Sequence, residues 1–74
     1  MLEKKIRRYK AMEIHRDLVR KGKFKVAKIL LKLLKNNKVK LGLDDDSWEV
    51  EMICQNLGCR MSYDSRGYCA TAYL

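Results

Sequence analysis

The chain has no proline, one histidine, no glycine-rich loop and no apolar run near the roughly 18 residues that a transmembrane helix needs. Each absence removes a class of function. Nothing is expected to span a bilayer, and the charged first twenty residues hold no apolar stretch of the secretory-signal kind. Without a glycine-rich loop there is no phosphate cradle of the nucleotide-binding type. The lone His15 stands among Arg and Lys, and no spacing sets a thiol beside it. No catalytic constellation is therefore supported, and no enzyme is expected.

Cysteine and acid patterns are equally sparse. Three cysteines are an odd number, and with no export signal they read as reduced thiols in a cytoplasmic protein. Cys54 and Cys59 lack the second close pair that a zinc knuckle needs, so together with Cys69 and His15 they suggest no metal site. Small buried hydrophobes are the preferred role for these thiols. Asp44-Asp45-Asp46 lacks the alternating ligands, central glycine and closing glutamate of a calcium loop, and reads as a solvated loop or helix cap. No cofactor is implied.

What the chain does have is positive charge, unevenly placed. Its 74 residues carry 17 Lys and Arg against nine Asp and Glu, a formal net charge of +8. Residues 1–41 hold fifteen of the cations and only Glu3, Glu13 and Asp17, whereas residues 42–74 have a net charge of −4. Such asymmetry suits a polyanionic partner: nucleic acid, an anionic membrane or an acidic protein patch. With 47% apolar and 35% charged residues the chain is expected to fold as a single domain over 1–74. A domain this short buries only about 60% of its unfolded surface, so a homo-oligomer or a stabilising partner is compatible with its size.

Residues 2–21 read as a helix with two short apolar stripes, Leu2, Ile6 and Tyr9 on one side and Ala11, Ile14 and Leu18 on the other. Gly22 suits the left-handed position that closes it. Residues 23–36 form the clearest amphipath: Lys25, Lys28, Lys32 and Lys35 share one narrow arc, opposite Val26, Ala27, Ile29, Leu30, Leu33 and Leu34. Asn36-Asn37 ends it. The short break at Gly22 implies an antiparallel helical hairpin.

After Lys38 the period changes to two. Val39, Leu41 and Leu43 alternate with polar residues, as do Trp48, Val50 and Met52 with Glu49 and Glu51. Pairing these runs around Asp44–Ser47 sets Lys40 opposite Glu51 and the apolar residues opposite one another. Asn56-Leu57-Gly58 and Asp64-Ser65-Arg66-Gly67 supply two further turns. The expected fold class is α+β: the hairpin packed on an antiparallel sheet with strands near 38–43, 48–55, 59–64 and 67–73. In that sheet Cys69 faces Ser62. The alternative is a third helix over 46–58 followed by a β-hairpin. Asp46 and Glu49 would form its capping box, Trp48, Met52, Ile53 and Leu57 would share a face, and Gly58 would terminate it. The alternation and the Lys40–Glu51 pairing favour the strand.

A helix-turn-helix with its recognition helix over 62–73 is rejected, because that segment contains Gly67 and carries only Arg66 as a strong phosphate ligand. Tyr63, Tyr68 and Tyr73 on a sheet are candidates for stacking nucleobases, but cross-strand packing of Tyr63 on Tyr68 accounts for them more simply. The lysine-faced helix resembles membrane-active peptides in pattern only, and its leucines are needed for a core. The lysine arc has its own plain explanation, a solvated face that keeps a small protein soluble. Few acids interrupt it, however, and a purely solubilising surface mixes signs.

The expected function is that of a small basic protein binding DNA or RNA through the phosphate backbone, with little base specificity. Lys25, Lys28, Lys32 and Lys35 carry it, extended by Arg20, Lys21, Lys23 and Arg7. The alternative is a protein-interaction module or inhibitor docking the same basic face on an acidic protein partner. The small size, lysine-rich helices and lack of proline are compatible with a phage or mobile-element accessory protein.

Overall fold

The computed structural model describes residues 3–64 and 69–74. Helix α1 (Lys4–Arg20) and helix α2 (Phe24–Asn36) lie against each other as the sequence implies. Gly22 sits at φ +80°, with its N–H donating to the Val19 carbonyl and the Lys23 N–H donating to that of Leu18. This paired bonding satisfies carbonyls that the helix end leaves open, and the glycine tolerates the left-handed turn without a Cβ penalty. Of the two stripes on α1, Ala11 and Leu18 are buried and Ile14 half-buried against the core, while Ile6 and Tyr9 remain exposed. On α2, Val26, Ala27, Leu30, Leu33 and Leu34 are buried. Its apolar side is thus consumed by the core rather than free for a lipid surface. Among the described residues no helix is long and apolar enough to cross a membrane.

Strand β1 (Lys38–Leu41) follows, and then the chain departs from the preferred expectation. Residues 48–55 are not a strand; they belong to helix α3 (Asp45–Leu57), so the alternative reading is the one realised. The capping residue is Asp44, two positions before the expected Asp46. Its Oδ2 accepts the Ser47 N–H at 3.1 Å and its Oδ1 accepts the Ser47 hydroxyl at 2.8 Å. Asp45 and Asp46 then place negative charge on the positive end of the helix. At the other end Gly58, again at φ +80°, closes the helix while the Cys59 N–H donates to the Cys54 carbonyl at 2.9 Å. Two strong terminators enclosing thirteen residues suit a helix and overshoot an ordinary strand. The buried face of α3 is Ser47, Val50, Cys54 and Leu57; of the expected face, Leu57 is buried and Ile53 packs against the core, whereas Trp48 and Met52 are exposed.

Strands β2 (Arg60–Tyr63) and β3 (Ala70–Tyr73) complete a three-stranded antiparallel sheet of order β1-β3-β2. The chain crosses from β1 through α3 to β2 and the last strand fills the gap between them. Lys40 is therefore opposite Thr71 rather than Glu51. The register of the last hairpin is two residues away from the expected one: Tyr63 pairs with Ala70, and Ser62 with Thr71 instead of Cys69. The Tyr63–Tyr68 contact and the 64–67 turn involve residues outside those described. Val39, Leu41, Ala70 and Ala72 turn inward, and the core cluster joins Val39, Leu41 and Ala72 to all three helices. The other side of the sheet is left open, which sets up the surface considered next.

Candidate functional site

Lys25, Lys28, Lys32 and Lys35 are all exposed on α2. At 100° per residue they occupy an arc of about 80°, and the helical rise spreads them over about 15 Å. Among the described residues no ion pair involves any of the four; the pairs formed are Lys21 with Asp17 and Lys23 with Glu49, each at 3.0 Å. Both are exposed pairs worth little, so Lys21 and Lys23 keep a largely accessible charge. Arg20, in the last turn of α1, is exposed. These seven side chains remain available to a partner.

Arg7 is different. It is half-buried, and its Nη2 donates to the Leu74 carbonyl at 3.3 Å. It ties α1 to the end of β3, apart from the exposed lysines of α2. Arg8 has a similar job: Nη2 donates to the Leu34 carbonyl at 2.6 Å and Nη1 to Asn37 Oδ1 at 3.0 Å. A cation at the carbonyl end of α2 is held there by both hydrogen bonds and the helix dipole.

The open face of the sheet adds cations that the sequence reading did not include. Cross-strand partners share a face, so the register puts Lys38, Tyr73 and Arg60 in one row and Lys40, Thr71 and Ser62 in the next. A shallow groove of about 690 Å³ runs over this region, lined by Lys32 and Asn36 of α2 and by Lys38, Lys40, Thr71 and Tyr73 of the sheet. Lys32 thus connects the helical ridge to the sheet. Lys38 and Lys40 alternate with buried Val39 and Leu41, so their common side was readable locally. What concealed them was the assumed neutralising strand with Glu51, which instead lies half-buried on α3.

Acids gather at the opposite end of α2. A second groove of about 440 Å³ is lined by Gly22, Lys23, Phe24, Lys25, Val26, Asp46 and Glu49. Lys25 therefore borders the acidic start of α3, and Lys32 borders the sheet cations. Asp44, at that acidic end, has its carboxyl held below the usual range by the two hydrogen bonds from Ser47.

Among the described residues no group of three or more His, Cys, Asp or Glu is placed to hold a metal ion. Cys54 and Cys59 are both buried and lie close together at the α3 terminus. A hydrogen bond from the Cys54 thiol, helped by the Arg7 charge and opposed by burial, lowers Cys59 to about 7. That same bond and burial push Cys54 up. Cys69 donates to Asp64 Oδ2 at 3.3 Å, which raises its own thiol. The rejected recognition helix is replaced by β2 and β3. Tyr63 lies on the helix-covered side and its hydroxyl meets the Gln55 amide at 3.4 Å.

No protein-family model, curated protein or solved structure matches the chain.

Proposed function

We propose that this protein binds nucleic acid through its phosphate backbone, using Lys25, Lys28, Lys32 and Lys35 of α2 together with Lys38, Lys40 and Arg60 of the sheet. The observation that carries the reading is the run of exposed cations from the helix across a shared groove to the sheet, with no ion pair on the ridge lysines among the described residues. Phosphate binding by such clusters gains from release of condensed counterions and needs no base contact. Arg20, Lys21 and Lys23 add weaker, longer-range attraction at the other end, where Asp46 and Glu49 dilute the field.

The test is fluorescence anisotropy with DNA, RNA and heparin over a salt series. Neutralising four to seven phosphates gives a slope of log K on log salt between about −3 and −6. Changing Lys25, Lys28, Lys32 and Lys35 to Glu abolishes binding while the far-ultraviolet circular dichroism stays that of the parent. A flat salt response, or no binding at low salt, refutes the proposal. One saturable acidic protein captured where oligonucleotides fail favours an interaction module instead.

A further inference from the structure

We infer that the open face of the sheet takes a single-stranded segment of nucleic acid, with one base stacked on Tyr73 and the adjoining phosphates on Lys38 and Arg60. This rests on the nucleic-acid reading above and specifies the form of ligand.

Tyr73 is 38% exposed and lies in the central strand, between Lys38 on β1 and Arg60 on β2 in direct register. Neighbouring strands are about 4.8 Å apart, so a cationic side chain rises on either side of the ring within reach of one nucleotide's phosphates. The next row, Lys40, Thr71 and Ser62, provides a third cation and two hydroxyls that can meet a base edge or a sugar hydroxyl. None of these five neighbours is apolar. Among the described residues, its cross-strand partners do not supply the hydrophobic packing that ordinarily accounts for a strand tyrosine.

The backbone beneath the ring is well anchored. Its strand is hydrogen-bonded on both sides, the following Leu74 is buried, the Leu74 N–H donates to the Asn37 carbonyl at 2.9 Å, and Arg7 holds the Leu74 carbonyl. A ring on a fixed backbone loses little freedom when it receives a flat ligand. The half-buried Arg7 thereby acquires a place in the design, as a positioning residue behind the platform.

Stacking on Tyr73 selects an unpaired base, because bases in a duplex already cover each other's faces. From the groove, Lys32 leads onto the α2 ridge, where Lys28 and Lys35 can follow the continuing backbone. Electrostatic tracking along the helix and one stacked base on the sheet divide the work: the first supplies salt-dependent affinity and the second supplies preference for single strands.

The experiment compares fluorescein-labelled single-stranded 12-mers of DNA and RNA with the same DNA as a duplex and with heparin, at fixed salt. Tyr73→Ala and Tyr73→Leu are each expected to weaken single-strand binding by about fivefold to a hundredfold. Duplex and heparin binding stay unchanged, the salt slope stays unchanged, and Tyr73→Phe behaves as the parent. Leucine keeps the apolar bulk of the position, so a loss shared by both variants is due to the missing ring face. Lys38→Gln with Arg60→Gln lowers the salt slope by about 1.4 for a single strand. Single-strand affinity that survives Tyr73→Leu overturns the stacking inference, as does a parent protein that prefers the duplex. A parent that binds heparin but neither oligonucleotide, or no polyanion at all, overturns the nucleic-acid reading itself.

Discussion

Replacing Trp48 and Val50 by alanine, one at a time, separates the two ways in which residues 45–57 can fold. A strand places both side chains on one buried face, whereas in α3 Val50 is 0% exposed and Trp48 is 61% exposed. Val50→Ala deletes two buried carbon groups, worth about 1.6 kcal/mol of transfer free energy at 0.8 kcal/mol each. A cavity that relaxes incompletely within the core cluster, to which Cys54 and Leu41 also belong, raises the cost to about 2–3 kcal/mol. For a chain of this length that lowers Tm by about 10–20 °C. A domain of 74 residues has about 4–11 kcal/mol in total, so the variant still folds and can be measured. Trp48→Ala costs about 1 kcal/mol or less, because most of its surface is already in water. The assay is urea and thermal unfolding followed by circular dichroism at 222 nm, since one variant lacks the tryptophan fluorophore. A Trp48→Ala loss of about 3–5 kcal/mol, equal to or above that of Val50→Ala, would refute the helical placement.

Further expectations concern charge, capping and the thiol pair. Changing Lys25, Lys28, Lys32 and Lys35 to Gln should reduce the salt slope on single strands by about 2.8 and move stability by no more than about 0.5 kcal/mol, checked by anisotropy and urea titration. Arg8→Ala, in contrast, should cost about 1–2 kcal/mol, because the Leu34 carbonyl and Asn37 lose a charged donor, with oligonucleotide affinity much less affected. The hydrogen bond from Cys54 lowers the Cys59 thiol to about 7 in the folded chain, below its ordinary value of 9.0. Stability should therefore rise as pH increases from 7 to 9 and lose this contribution as pH falls through 7. Cys59→Ser should flatten that rise in a urea-midpoint series; an unchanged profile contradicts the lowered Cys59 thiol.

Some of this architecture was written in short stretches of chain. The α2 amphipath, the glycine stop at 22 and the period-two run from Lys38 each depend on neighbours within one or two turns, and each reappears where local pattern placed it. The segment around Trp48 did not resolve locally because alternation and helical spacing both fit it. The cap at Asp44, the closure at Gly58 and the apolar contacts of Val50, Cys54 and Leu57 decide between them. The Lys40–Glu51 complementarity that favoured a strand was a coincidence of sequence spacing.

The candidate surface divides along the same line. Sequence alone determined the lysine arc, since four residues on one helix are positioned by the helical repeat and by nothing else. It also determined the partition of charge between the two halves. Only the tertiary structure decided that Lys38 and Arg60 flank Tyr73, that Lys32 shares their groove, and that Arg7 and Arg8 turn to carbonyl groups of other elements. The reason is that helical periodicity is a property of adjacent residues, whereas strand order and register are settled by which distant segments can bury their apolar sides together.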